Sequence, residues 1–288
     1  MDIRLAPTHI YALKPTLDFE AAKQQAIDKR LGVVAGGIGA LLSRPKPEEV
    51  DLVYAETRYE PFWHLGCTIR FAFERNREFN VPVTGVEVRR VTLLGQEFEV
   101  AAQQQAQPGL LQQLGIGGAA RTFSVTGVEH CVDENRQERF LDAVTGQPAQ
   151  LGAEIIAKDK TEVTDLASLI SGETLVVPPQ TTATQLVKAL LATMIKQIQA
   201  DKILEEVARI DTLDLYFRPI YAFEFAWKPK NKTGVAEFDA VTGAMTNGKA
   251  LHAKSDKPLS REALFDISTE TATTLMPSAT MSAKLIVE

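Results

Sequence analysis

Cysteine is scarce in this chain: only Cys67 and Cys131 occur among 288 residues. Two thiols are too few for a disulfide scaffold at this length. The four histidines, His9, His64, His130 and His252, are scattered, and no G-x-S-x-G segment accompanies them, so a nucleophile with its base is not assembled by any local motif. The glycine-rich run from Gly32 to Gly39 lies inside a helical pattern and no Gly-Lys-Ser/Thr follows it. It does not fit a phosphate loop and reads instead as small residues that let a helix pack closely. Long apolar runs are missing too. The longest uncharged one, Leu31 to Leu42, is about half of the ~20 residues that span a bilayer. Basic excess is absent: 31 Lys and Arg face 37 Asp and Glu, a net charge of −6, which gives no general drive toward nucleic acid or anionic membrane. The start, Met1-Asp2-Ile3-Arg4-Leu5-Ala6-Pro7, lacks the basic and apolar regions of a signal peptide. A cytoplasmic location without a transmembrane segment is therefore the expectation.

What the chain does have is a globular composition, 45% hydrophobic and 24% charged, in a length suited to about two domains. It also has an internal repeat. Asp142-Ala143-Val144-Thr145-Gly146 recurs 97 residues later as Asp239-Ala240-Val241-Thr242-Gly243. At the same offset Ala153, Asp159-Lys160 and Ile170-Ser171-x-Glu173-Thr174 recur from Ala250 onward, giving twelve identities in the ungapped window 142–174. Average residue usage would give about two by chance. Upstream, Tyr59-x-Pro61-Phe62-Trp63 parallels Phe217-x-Pro219-Ile220-Tyr221, and Ile10 to Pro15 parallels Thr174 to Pro179.

The expected fold class is accordingly α+β, with two tandem copies of a helix-on-antiparallel-sheet unit. Residues 1–172 form the first domain and 173–288 the second. Each copy reads strand, proline turn, helix, aromatic-proline strand, hairpin, Asp-Ala-Val-Thr-Gly turn. The first helix spans roughly 18–42, with Thr16 or Asp18 as N-cap. The second spans roughly 182–208, capped by Thr181, Thr182 or Thr184 and carrying Leu186, Leu190, Ile195, Ile198, Ile203 and Val207 at helical spacing. In the second copy Ile220–Trp227 and Val235–Phe238 form a hairpin around 229–234. In the first, the outgoing strand covers Thr68 to Glu74 and the return Val125 to Leu141. An insertion at about 77–122 separates these two, with its own hairpin around Gly95 and a Gln/Gly-rich stretch from Gln103 to Gly118. Only one copy carries this insertion, so it is where a duplicated scaffold would gain a specific partner. At the tail, Ala283 to Val287 reads as a closing strand.

The run Tyr221-Ala222-Phe223-Glu224-Phe225-Ala226-Trp227, followed by Val235 to Gly243 and preceded by a helix, resembles the helix-plus-hairpin pattern of PepSY-type domains, which end in Asp-x-x-Thr-Gly. The resemblance covers mainly 184–246, and in the first copy only Phe140 to Gly146. It implies a small binding or regulatory module and brings no catalytic residues.

Three constellations could carry chemistry. His64, Cys67, His130 and Cys131 fall in two short clusters on the two strands of one hairpin, and thiolate with imidazole is the ligand set that zinc prefers. Strand alternation opposes it, because His130 and Cys131 point to opposite faces, as do His64 and Cys67 unless Gly66 breaks the strand. The alternative is buried thiols beside hydrogen-bonded histidines. The aromatics Tyr59, Trp63, Tyr221 and Trp227 form either a core face beneath a helix or an accessible platform for a peptide, a base or a second subunit. Asp142 and Asp239 would act as paired acids only if both turns met at one cleft. The reading that follows is a non-enzymatic protein-interaction or scaffold protein, acting through sheet surfaces and the insertion on a protein partner or on itself. A zinc regulator or small Cys/His enzyme is the alternative, and single-stranded nucleic-acid binding on the aromatic strands a third.

Overall fold

A computed structural model describes residues 1–35, 45–102, 121–149, 153–169, 174–250 and 264–265, and the backbone of 284–287. It is a mixed α/β architecture with a large mixed sheet and, among the described residues, two α-helices of more than one turn. The central strands are β3 (Val50–Val83), β7 (Arg121–Asp142), β10 (Lys202–Trp227) and β11 (Lys232–Asp239). With β6 (Ala101–Ala102) and β12 (Met245–Asn247) they run in the order β12-β11-β10-β3-β7-β6. Short strands flank this path. β1 (Asp2–Leu5) and β2 (Ile10–Leu13) lie parallel to β10, and β9 (Leu175–Val176) lies parallel to β3. β8 (Lys160–Glu162) runs antiparallel to β2. The expected tail strand forms as β13 (Lys284–Val287), parallel to β1.

Helix α1 (Phe19–Ala35) opens on Asp18, whose Oδ1 accepts the amides of Glu20 and Ala21 at 2.9 and 3.1 Å. Thr16, the other expected cap, instead donates its hydroxyl to the Val241 carbonyl at 2.6 Å. Helix α2 (Ala183–Met194) opens on a capping box between Thr182 and Gln185, which satisfies two of the free amides of the first turn. It is much shorter than the expected 182–208. After Ile195 turns extended, Lys202 onward is strand, and Val207–Ile210 pairs with Asp2–Leu5. The helical spacing of Ile203 and Val207 is overridden because Val207–Ile210 gains backbone partners on β1 while Ala208 and Ile210 are buried completely.

The hairpin β10–β11 pairs from Ile220↔Asp239 to Trp227↔Lys232. Its four alternating aromatics, Tyr221, Phe223, Phe225 and Trp227, are buried under α1 with Ala22, Ala26 and Phe238. Close approach here depends on a glycine of the strand. A Cβ on Gly234 would stand 2.6 Å from the Val33 carbonyl oxygen, whereas one on Gly32 would meet nothing. The expectation that glycines of the helix permit the packing thus fails at Gly32, and Gly36, Gly37 and Gly39 lie outside the described residues.

By contacts the chain divides into two compact units. The larger comprises Met1–Ile69, Asn135–Lys196 and Val207–Glu288, and so includes both sides of the 172/173 boundary. Within it, the strand and helix near the N-terminus attach to the hairpin near the C-terminus, and the later strand and helix attach to the earlier strands. The amides of Thr16 and Leu17 donate to the Ala240 carbonyl, and those of Gln180 and Thr181 donate to the Ala143 carbonyl. β2 sits on Leu215–Phe217, while β9 sits on Arg58–Tyr59.

The smaller unit, Arg70–Glu134 with Gln197–Glu206, holds the insertion. Its hairpin joins β4 (Arg90–Leu93) to β5 (Gln96–Glu99) through Leu94 and Gly95, both at positive φ. That is the backbone a two-residue hairpin turn demands, and the hairpin lies where the sequence put it. The Gln/Gly-rich stretch from Gln103 to Gly118 lies outside the described residues.

Candidate functional site

Three neighbouring strands, β3, β10 and β11, bring charged side chains together inside the larger unit. Arg58 is buried, and its guanidinium donates to Glu56 at 2.7 Å, to Glu60 at 2.9 Å, to Glu237 and to the Lys249 carbonyl at 3.1 Å. Burial opposes its charge. The hydrogen bond to Glu237, the charges of Glu60 and Glu237 and the bond to Glu56 outweigh it, and Arg58 stays above the ordinary guanidinium range. Arg218 adjoins this cluster, donating to Glu60 and Asp239 at 3.2 Å each.

Two cavities of about 290 Å³ each share Glu60 and Arg218 in their walls. One is completed by Phe62, Asp142, Thr145 and Gln147. The other is completed by Ile220, Asp239, Thr242 and Ala244, with Glu154 and Glu237 adding carboxylates. The two Asp-Ala-Val-Thr-Gly turns therefore do flank one ion pair. Their carboxylates are nonetheless engaged. Asp142 Oδ1 accepts the Val144 and Thr145 amides at 2.9 and 2.7 Å, and Asp239 Oδ1 accepts those of Val241 and Thr242 at 2.8 and 3.0 Å. Gly146 and Gly243 close the turns at φ 70° and 76°. One oxygen of each aspartate thus holds its own turn, and Asp239 holds Arg218 as well.

The residues singled out for metal binding take separate roles. His64 is buried, stacked on Phe140 at 4.7 Å, with Nε2 2.6 Å from Glu138 Oε1 and Nδ1 buried without a hydrogen-bond partner. Cys67 is fully buried, and burial, with the charge of Asp211, pushes its thiol up to about 12. Gly66 does not interrupt β3, which runs unbroken past both. Both belong to the larger unit, whereas His130 and Cys131 belong to the smaller. His130 is exposed, 3.4 Å from Glu74, and the half-buried Cys131 sulfur accepts a hydrogen bond from Arg75 at 3.4 Å. Among the described residues no group of three or more His, Cys, Asp or Glu side chains is placed to hold a metal ion.

The aromatic platform is core. Trp63 is fully buried and donates its indole N–H to the Thr181 carbonyl at 3.2 Å, Trp227 donates to Glu49 at 3.1 Å, and Tyr221 meets the edge of Phe19 at 5.2 Å. Tyr59 is half-buried, and burial raises its phenol pKa. The helix expected above this face is present, so apolar burial takes the rings that a base or peptide would need.

Sequence reasoning missed the buried Asp214. Burial raises its carboxyl pKa against the opposing hydrogen bond from the His9 amide. It also missed Lys160, whose ammonium donates to the Ile156 carbonyl at 2.6 Å and lies 4.9 and 5.3 Å from the ring centres of Tyr11 and Tyr216. A visible signal existed only for Glu56, Arg58 and Glu60, three charges alternating along a strand.

Exposed apolar surface is concentrated in the smaller unit. Of the ten large hydrophobic side chains that stand exposed among the described residues, eight belong to it: Phe79, Val86, Leu93, Leu94, Val128, Val132, Ile203 and Leu204. Among the described residues its buried apolar side chains are Phe71, Phe73 and Phe123. β7 pairs with β3 along one edge, while β6 covers only Arg121 and Thr122 on the other. No helix among the described residues is long and apolar enough to cross a membrane. No protein-family model matches the chain, and neither a curated protein nor a solved structure matches it.

Proposed function

We propose that this protein is a non-enzymatic interaction module that binds protein partners through its smaller unit, with the larger unit as scaffold. The observation that carries this reading is the placement of eight of ten exposed large apolar side chains in the smaller unit. Apolar surface left open beside an uncovered strand edge is what a protein partner covers. The insertion named from sequence as the partner-binding element lies in this unit. The engaged carboxylates and the protonated Cys67 thiol favour binding over catalysis.

The scaffold itself is, in this reading, two copies of one unit that exchange their strand–helix arms. The paired bonds at Ala143 and Ala240, and the two turns closed by Gly146 and Gly243, support it. So does register: Tyr11 and Ala12 meet Tyr216 and Phe217 as Leu175 and Val176 meet Arg58 and Tyr59, so the offset that aligns Ile10–Pro15 with Thr174–Pro179 goes with the offset that aligns Tyr59 with Phe217. The test is retention of proteins from an extract of the source on immobilised full-length chain, compared with the variant L204D/F79S. A protein held by the native chain and lost from the variant supports the reading. Identical retention by both overturns it.

A further inference from the structure

The uncovered edge of β7 is self-complementary, and we infer that it pairs antiparallel with β7 of a second copy of this chain, centred on His130. This deepens the interaction reading above and rests on it. Among the described residues, β7 has no strand partner on this edge beyond Thr122 until the single bridge from Leu141 to Pro148. Its residues within the smaller unit include Val128-Glu129-His130-Cys131-Val132, in which valine stands two places to either side of the histidine. Residues 128, 130 and 132 lie on one face of the strand and all three are exposed, Val128 by 49% and Val132 by 61%.

An antiparallel pair centred on His130 sets Val128 of each copy opposite Val132 of the other. Two apolar cross-strand pairs then form from side chains that water surrounds in the single chain. The acidic residues find neutral neighbours: Glu129 faces Cys131, Asp133 faces Gly127, and Glu134 faces Thr126. Registers one residue away fail on charge. Centring on Glu129 sets that carboxylate against its own copy, and centring on Cys131 sets Glu129 against Asp133 twice. Like charges directly opposite are destabilising, so the register centred on His130 is favoured over both adjacent ones. The scarcity of buried apolar residues among the described residues of this unit favours an occupant, because a sheet with a small apolar face is marginal alone. A second copy supplies the matching valines and the matching charges at once.

The test is sedimentation velocity of purified full-length chain with two double variants on the exposed face. The native chain is expected to form a dimer. V128K/V132K sets lysine against lysine at both pairs and should weaken the dimer by at least about tenfold. V128K/V132E sets the introduced lysine of each copy against the introduced glutamate of the other, in this register alone, and should restore association. A native chain that stays monomeric at about 100 μM, far above the Kd of a specific pair, overturns the inference. So does a V128K/V132E variant no tighter than V128K/V132K. A photo-reactive residue at Val132, activated in source cells, separates this from the broader reading. An adduct of two copies supports self-pairing. An adduct with a different protein, from a chain that is monomeric when pure, overturns self-pairing and leaves the interaction reading standing. No adduct at all overturns both.

Discussion

The two units spend their hydrophobic residues in opposite ways. In the larger, both tryptophans and the aromatics of β10 are buried, and even a guanidinium is drawn in and matched by three carboxylates. In the smaller, three phenylalanines are buried while eight large apolar side chains face solvent among the described residues. A unit that buries its apolar groups gains stability from them, whereas one that leaves them out keeps that free energy available for association. The lesson is that burial, rather than any reactive group, is what distinguishes the two units among the described residues.

The sharpest way to test that contrast uses one cysteine from each unit. With its pKa pushed up to about 12, Cys67 is about one part in ten thousand thiolate at pH 8. Alkylation followed by peptide mass spectrometry should therefore modify Cys131 at least about a hundredfold faster than Cys67 in the folded chain. Equal rates would mean that the larger unit opens readily. The sign of the linkage agrees: the folded state keeps the Cys67 proton where the unfolded chain has lost it. Stability should thus decline as pH rises from about 9 toward 12, and a Cys67→Ala variant should lack that component.

Arg58→Ala should cost about 3–5 kcal/mol by denaturant unfolding, since it strands buried Glu56 beside Glu60 and Glu237. A cost below about 1 kcal/mol, the level of an exposed pair, would place the network in solvent. Gly234→Ala should cost about 1–3 kcal/mol by forcing α1 off the hairpin. The smallest effect belongs to the other unit. Leu94 is 97% exposed at φ 51°, so Leu94→Gly should stabilise the β4–β5 hairpin, by at most about 1 kcal/mol, read by hydrogen exchange of Arg90–Glu99. A loss of protection there would mean that Leu94 makes contacts its exposure does not suggest.

Local chemistry was legible in the sequence and long-range partnership was not. The Asp142 and Asp239 turns, the β10–β11 and β4–β5 hairpins, the Thr182 cap and the tail strand each follow from a few adjacent residues, and each is present. The end of α2 was misplaced because Ile203 and Val207 satisfy helical spacing, and nothing local reveals that β1 will pair with Val207–Ile210. The attachment of α1 to the hairpin more than two hundred residues away was invisible for the same reason. At the candidate site, His64 and Cys67 drew attention by residue type. Asp214 and Lys160 stayed hidden, because their significance depends on what the fold brings beside them.

The bond from Thr16 to Val241, 225 positions apart, has a consequence for biosynthesis. During translation at about 5–20 residues per second, α1 leaves the ribosome roughly 10–45 seconds before β11 exists. For that interval Phe19, Ala22 and Ala26 have no β10–β11 hairpin to cover them. The nascent chain must therefore carry an unfinished N-terminal segment past the exit tunnel until its last third arrives.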